Sequence, residues 1–265
     1  MQLRKKIFIL TFFYLTAYIS LYAINYVLFR SLRITPNILN LFCVVLTVLF
    51  VIGLTTVLSF KLIAKECFSL SFLGLKKDHI MLSFILALTV SSPISILWLI
   101  SVKVEGITKV LAIAKPEWIV LPISETAFTI ALLFWILNGV IAFSLWEAFP
   151  LEILKSSSKL ISVFFVVMMW AFLYNTPLLT SKFDIIDILI FGFAFTLVYS
   201  KTRNSLGIIF AYLLNENPLL WIIAASFFPH MEKVFLFLLI ARFVICLAAI
   251  YFSVRFELLG RLSSG

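Results

Sequence analysis

Long apolar runs recur along this chain, and they restrict its fold more than any other feature. A helix of about 20 consecutive apolar residues crosses the hydrocarbon core of a bilayer. Of the 265 residues, 63% are hydrophobic and 12% are charged, and the mean hydropathy is +1.18. Soluble domains carry about 25% charged residues. We therefore predict an all-α polytopic membrane protein whose residues 1–265 form a single membrane domain.

The apolar runs predict about eight transmembrane helices in one bundle. In chain order they cover Ile7–Phe29, Ile38–Phe60, His79–Val102, Trp118–Leu145, Leu160–Asn175, Ile185–Tyr199, Leu206–Phe228 and Val234–Val254. Pro93 predicts a kink or a local break in the third of these spans. Between the spans, we expect an interfacial segment over residues 61–78, a short surface helix within residues 103–117, and a semi-polar turn region over residues 146–159.

The distribution of Lys and Arg predicts the orientation of the chain. With the N-terminus inside, thirteen of the 21 basic residues fall on the cytoplasmic side and seven on the other, with Arg242 inside the last span. Cytoplasmic loops carry the excess of Lys and Arg, so both termini are predicted to be cytoplasmic in a membrane that we expect to be prokaryotic. A net charge of +9 spread over loops suits contact with anionic lipid and does not indicate nucleic-acid binding.

Neither a cofactor nor a metal site is indicated by the sequence. There is no Gly-rich phosphate loop, and the three cysteines, Cys43, Cys67 and Cys246, are too widely spaced to suggest metal ligands or a disulfide framework. We interpret them as small apolar packing residues.

Polar side chains stand at membrane depth in three places, and these are the candidate functional residues. A charge at the centre of a spanning helix costs roughly 2.5 to 3.5 kcal/mol on insertion scales, so such residues need a function or an interface. The candidates are Glu147, Asn175, Asn215, Glu216 and Asn217.

Each candidate also has a purely structural interpretation. Glu147 either sits at a helix end near Lys155 or Lys159, or lines a cavity. Tyr174 and Asn175 are typical of the last turn of a helix, because Pro177 follows.

The other polar residues leave similar alternatives open. A helix broken at residues 215–217 would free backbone groups and turn Glu216 inward, where these groups would bind a peptide or an ion. Glu125 and Arg242 are predicted to pair across the bundle.

Several stretches together resemble one family of intramembrane proteins. Phe72-Leu73-Gly74-Leu75-Lys76-Lys77 is a short Leu-Gly-Leu segment followed by basic residues. Phe191-Gly192-Phe193 is followed by Tyr199-Ser200-Lys201-Thr202-Arg203-Asn204-Ser205-Leu206, the most specific match. These segments resemble the CAAX-protease and bacteriocin-processing family (CPBP, also called Abi), over residues 68–228.

The resemblance implies where catalytic residues would stand. Active members carry Glu-Glu-x-x-x-Arg, then Phe-x-x-x-His, then His-x-x-x-Asn or Asp, and the carboxylate and imidazoles activate water and polarise the scissile carbonyl. The corresponding positions in this chain are Trp146, Glu147 and Leu151, then Trp170 and Tyr174, then Leu213 and Asn217. A register shifted by two residues offers Ala211 and Asn215 instead of the last pair. Neither register supplies a histidine.

The resemblance and the missing imidazoles lead to three hypotheses. In the first, the chain is a pseudoprotease that binds a hydrophobic peptide or a membrane partner, as in bacteriocin immunity or in regulation of envelope or signalling proteins. In the second, it is an active endopeptidase that uses Glu147, Tyr174 and Asn217 as catalytic candidates. The third is a transporter or a subunit of a larger complex. Trp146, Trp170, Asn175, Asn215 and Glu216 are the predicted binding or cavity-lining residues.

Overall fold

The computed structural model describes residues 3–25, 46, 50, 53, 73–115, 121, 123–154, 158–174, 182–256 and 258. Every regular element in these ranges is helical. The α-helices are α1 (Leu3–Asn25), α2 (Ile80–Glu105), α3 (Ile107–Ala114), α4 (Glu125–Val140), α5 (Phe149–Ile153), α6 (Lys159–Tyr174), α7 (Lys182–Thr202), α8 (Ser205–Asn215), α9 (Asn217–Ala225) and α10 (Met231–Arg255); a π-helix (Ile141–Ala148) joins α4 to α5.

Two of these helices, α2 and α10, are by length and composition suited to cross a membrane. They have 26 and 25 residues. The consecutive helices α8 and α9 meet the same criteria when taken together, although they bend by 57° at the break between them. Shorter apolar stretches lie within α1, α4 and α6. The described helices thus provide two or three candidate spans, and eight spans remain a prediction. The predicted second span, Ile38–Phe60, lies outside the described residues apart from three isolated positions.

The central helix of the described bundle is α2, which packs against α7, α8 and α10. It runs through Pro93 as one helix, so the break predicted there is not present. The backbones of α8 and α2 approach closely at Gly207. A methyl group at this position would stand only 2.6 Å from the backbone nitrogen of Phe84. The hydroxyl groups of Thr89 on α2 and Ser253 on α10 also form a hydrogen bond, with their oxygens 2.7 Å apart. The absent side chain of Gly207 and these hydroxyls let the helices approach closely.

The short helix α3 agrees with the surface helix predicted within residues 103–117. It buries Val110, Leu111 and Ala114 in a cluster with Trp221 of α9 and Phe235 of α10. A second and larger cluster surrounds α2, the π-helix and the buried face of α1.

The prediction of a turn region over residues 146–159 is wrong for its first part. The chain stays helical from Glu125 to Ile153, first as α4, then as the π-helix, then as α5. The chain stays helical through Pro150 at the start of α5, although a proline has no N–H to donate within a helix. Glu147 is therefore inside a helix and not at a helix end.

Candidate functional site

Glu147 is the most unusual side chain in the structure. It lies on the π-helix and is 0% exposed, and neither of its carboxylate oxygens has a hydrogen-bond partner among the described residues. Glu147 is therefore neither at a helix end nor exposed, contrary to the first interpretation, while Lys155 and the side chain of Lys159 lie outside the described residues. Buried polar groups are hydrogen-bonded in the great majority of cases, and an exception needs an explanation.

The backbone around Glu147 is also unusual. The N–H of Phe149 donates to the carbonyl of Ser144, five residues earlier, as a π-helix requires. Such turns are rare and are often found at functional sites. The local geometry thus marks the same segment as the buried carboxylate does.

Two further buried hydroxyl groups also lack a hydrogen-bond partner among the described residues. Ser144 on the π-helix and Thr196 on α7 are both 0% exposed, and neither hydroxyl has a hydrogen-bond partner within the described part of the chain. Both follow directly after residues whose rings touch: Phe143 and Phe195 pack edge to face with centroids 5.3 Å apart. The interface between the π-helix and α7 thus carries unsatisfied hydroxyls in an otherwise apolar environment.

Two tyrosines flank the carboxylate of Glu147. Tyr14 on α1 and Tyr199 on α7 both interact electrostatically with it, and Tyr14 is fully buried. On the α1 side, Phe13 packs on Phe149 with ring centroids 5.2 Å apart, and Tyr14 packs on Phe165 at 6.3 Å. The buried face of α1 therefore covers this part of the site through ring contacts.

The hydroxyl of Tyr199 belongs to a more exposed polar cluster with Glu152 and Arg203. Its hydroxyl donates to Glu152 Oε1 at 3.3 Å, and Arg203 Nη1 donates to the same oxygen at 3.1 Å. The side chain of Arg203 is 37% exposed and that of Glu152 is 13% exposed. Tyr199, Glu152 and Arg203 thus form a polar cluster at the end of the bundle where α7 terminates.

A second polar cluster lies at the break between α8 and α9. The amide of Asn215 donates to Ser91 Oγ at 3.0 Å and to the carbonyl of Ala211 at 2.9 Å, and its oxygen accepts a hydrogen bond from Ser95 Oγ at 3.2 Å. Arg242 Nη1 donates to the carbonyl of Asn215 at 2.9 Å and to Asn217 Oδ1 at 2.7 Å. Both amides and Arg242 are buried.

The interruption predicted at residues 215–217 is confirmed, but its inward residues differ from the prediction. Asn215 and Asn217 are the buried residues, whereas Glu216 between them is half-buried. Arg242 reaches the carbonyl that the break exposes. The predicted pair of Glu125 and Arg242 does not form, because Glu125 is exposed at the start of α4 while Arg242 is buried beside α8 and α9.

The two segments that carry the family resemblance pack against each other. Asn204 caps α8 by accepting a hydrogen bond from the N–H of Gly207 at 2.9 Å, and its amide donates to the carbonyls of Lys76 and Asp78, both at 2.7 Å. Ser205 Oγ donates to the carbonyl of Leu73 at 2.8 Å. We call this set of contacts the Asn204 clamp. Its role is structural, because every group in it is used within the protein.

The structure does not bring all the sequence-predicted residues together. No hydrogen bond or ion pair joins Glu147 to Asn215 or Asn217 in the described ranges, and the latter two belong to the cluster around Arg242. Helix α6 is described as far as Tyr174, and the helix end predicted near Asn175 lies outside the described residues. The side chains of Trp146, Trp170 and Tyr174 lie outside the description, as does all of Asn175.

The chain's only two histidines, His79 and His230, are both exposed at the starts of helices. His79 precedes α2 and His230 precedes α10. Neither imidazole is a hydrogen-bond partner of Glu147.

Sequence reasoning missed several residues of these clusters. Ser144 and Thr196 carry no pattern that separates them from other hydroxyls in apolar helices. Asn204 was detectable, because an Asn directly before an apolar helical run is a typical N-cap. The role of Arg242 at the helix break was not, since it depends on how α10 packs against α8.

No protein family, curated protein or solved structure matches this chain. The likeness to the CAAX-protease and bacteriocin-processing family therefore rests on the sequence segments given above.

Proposed function

We propose that this chain is a membrane-embedded binding protein, a non-catalytic relative of the CAAX-protease and bacteriocin-processing family. In this proposal it holds a hydrophobic peptide segment of a membrane partner against Glu147. The observation that carries the proposal is the Glu147 carboxylate, which is 0% exposed with both oxygens lacking a hydrogen-bond partner among the described residues. An ionisable residue at membrane depth is by default a candidate functional site.

A peptide backbone has the chemistry that these buried groups lack. Glu147 offers acceptor oxygens, and the hydroxyls of Ser144 and Thr196 both donate and accept. An unwound segment of a membrane helix has free N–H and C=O groups, which cannot remain unsatisfied in hydrocarbon. The surrounding side chains, such as Phe143, Phe149 and Phe195, are apolar and suit the side chains of such a segment.

In this proposal, a peptide reaches Glu147 by displacing helix α1. Phe13 and Tyr14 hold it to the rest of the bundle by ring contacts, while Phe8 and Phe12 on its other face are 73% and 65% exposed. In this proposal α1 moves aside to admit the peptide, while α2 stays packed against α8 and α10.

Binding without hydrolysis is supported by the positions of the histidines. The family's mechanism needs imidazoles beside the carboxylate, and here both histidines are exposed at helix starts. Tyr174 and Leu213 occupy the positions that the resemblance assigns to histidine. A carboxylate alone is a poor match to a reaction that needs a second proton-transfer group.

The proposal is tested by photo-crosslinking in the native membrane. A photoreactive phenylalanine analogue replaces Phe13, which faces Phe149, or Phe12, which is exposed on the same helix and serves as the matched control. We expect a crosslink from position 13 to an intact membrane polypeptide. Glu147→Leu should abolish this crosslink, Glu125→Gln should leave it unchanged, and the lipid and protein adducts of position 12 should respond to neither substitution.

Two results would overturn the proposal. The first is a crosslink at position 13 that is insensitive to Glu147→Leu. The second is a cleaved partner whose cleavage is abolished by Glu147→Gln, since this would establish the alternative of an active intramembrane endopeptidase.

Transport is a second candidate function, favoured by the break between α8 and α9. Half-helices that meet near the middle of a bundle form ion and substrate sites in many transporters. In sealed proteoliposomes, ion-driven flux that is lost on Glu216→Ala and kept in the exposed control Glu232→Ala would support it. Sealed vesicles without any flux would reject it.

A further inference from the structure

We propose that a pocket at one end of the bundle binds the phosphate of an anionic lipid headgroup. The pocket has a volume of about 100 Å³ and is lined by His79, Leu82, Leu86, Lys201, Thr202 and Leu258. It lies where α2 begins, where α7 ends and just beyond the end of α10. The proposal is independent of the function proposed for Glu147.

The pocket lining has a polar side and an apolar side, as a lipid molecule has a polar headgroup and apolar chains. Lys201 provides a cationic group and His79 a polar imidazole, whereas Leu82, Leu86 and Leu258 provide an apolar side. A lipid presents a phosphate beside the start of its acyl chains, so one molecule can satisfy both sides. A small soluble anion would leave the three leucines without an apolar contact.

The charges around the pocket favour an anion. Lys76 and Lys77 precede His79 by three and two residues, Arg203 directly follows Thr202, and Arg255 ends the neighbouring helix α10. Two acidic residues also adjoin the lining in sequence, Asp78 before His79 and Glu257 before Leu258, and Glu152 already accepts a hydrogen bond from Arg203. Basic residues at the membrane surface attract anionic lipid. This surface is also the one predicted to face the cytoplasm from the Lys and Arg distribution.

Helix dipoles alone do not account for this arrangement. Lys201 and Arg255 stand in the last turns of α7 and α10, where a cation is favourable in any case. His79, in contrast, stands at the N-terminus of α2, and helix N-termini favour anions. It also has a backbone φ of 62°, a left-handed conformation that glycine or asparagine adopts more readily. Residue 79 is thus a histidine in spite of a conformational cost, and it lines the same pocket as Lys201 of α7.

The experiment measures lipid retention by native mass spectrometry of the purified full-length chain in neutral detergent. Phosphatidylglycerol or phosphatidylcholine is added at increasing concentration. The test variant is His79→Gly combined with Lys201→Gln, because glycine suits the left-handed backbone and keeps the fold. The control variant is Lys103→Gln combined with Lys233→Gln, which removes exposed basic residues predicted to lie on the opposite side.

We expect one phosphatidylglycerol to be retained in preference to phosphatidylcholine, and about tenfold weaker retention in the test variant than in the native chain or the control. Equal retention of the two lipids would overturn the proposal, and so would a test variant that behaves as the native chain does. Displacement of the lipid by millimolar inorganic phosphate would assign the pocket to the free anion and overturn the lipid assignment. Thermal unfolding of each variant distinguishes loss of the site from loss of the fold.

Discussion

At the scale of single residues, buried polar side chains in this chain are of two kinds. Those of the first kind, such as Asn204 and Asn215, have their hydrogen-bonding groups satisfied within the protein and hold helices together. Glu147 is of the second kind, with no hydrogen-bond partner in the described part of the chain. The distinction matters because the first kind stabilises the fold, while the second reduces its stability and calls for a functional explanation.

Replacing Glu147 should therefore make the protein more stable. We expect Glu147→Leu to raise the free energy of unfolding by about 1 to 3 kcal/mol, because it removes a buried group without a hydrogen-bond partner and keeps a similar volume. Thermal or denaturant unfolding of the purified chain in detergent measures this change. Glu125→Gln, at an exposed position, is the control and should change little. A clear loss of stability in Glu147→Leu would mean that the carboxylate has a stabilising partner.

Asn204 should behave in the opposite way. Asn204→Ala removes the cap of α8 and leaves the carbonyls of Lys76 and Asp78 without their donor. We expect a loss of about 2 to 4 kcal/mol in the free energy of unfolding, from about 1 kcal/mol for the cap and the remainder for the buried carbonyls.

The same unfolding assay applies to the control for Asn204. Ser101→Ala removes an exposed hydroxyl that bonds only within its own helix, and it should have little effect. Equal effects of the two substitutions would show that the Asn204 clamp is not stabilising.

At the scale of the helices, close approach of backbones organises the bundle around α2. Gly207 lets α8 touch the first turn of α2, and the Asn204 clamp holds the preceding loop in place. Arg203 ends α7 with a φ of 52°, at a position where glycine is the usual residue, and its side chain bonds Glu152. One short segment between α7 and α8 thus fixes three helices.

A methyl group at Gly207 should disturb this contact strongly. Its Cβ would stand 2.6 Å from the nitrogen of Phe84 and equally close to Cβ of Ser83, and backbone cannot move aside as a flexible side chain can. We expect Gly207→Ala to destabilise the chain by about 1 to 3 kcal/mol.

Gly139→Ala is the matched control for this prediction, to be measured in the same unfolding assay. Its Cβ would meet only the side chains of Tyr212, at 3.3 Å, and Ile209, at 3.5 Å. Similar stabilities of the two variants would show that α2 and α8 are not held at this distance.

At the scale of the whole molecule, the sequence predicted the helical class and most helix positions. The third, fifth, sixth and eighth predicted spans correspond to α2, α6, α7 and α10 within a few residues, because long apolar runs fix where such helices lie. The helical continuation through Trp146 to Ile153 was missed, since Glu147 makes the segment semi-polar and proline, as at Pro150, commonly breaks a helix. The partner of Arg242 was also missed, because it depends on tertiary packing of α10 and not on a local pattern.

The orientation predicted from Lys and Arg can be tested by labelling single cysteines. In a background where Cys43, Cys67 and Cys246 are replaced by alanine, Lys77→Cys and Lys109→Cys lie beyond opposite ends of α2. We expect a membrane-impermeant thiol reagent added to intact cells to label position 109 and not position 77. Labelling of both positions from outside would contradict the predicted orientation, and labelling of both in permeabilised cells is the control for access.

The burial of Arg242 should affect how the chain inserts into the membrane during synthesis. Its guanidinium is buried in an apolar helix and donates to two oxygens at the break before α9. A newly synthesised α10 would carry this cation into lipid alone unless the broken pair α8 and α9 were already beside it. Insertion during biosynthesis should therefore proceed with the last three helices as a single cooperative unit, and a ribosome stalled before Arg242 emerges should leave α8 and α9 exposed to quality-control proteases.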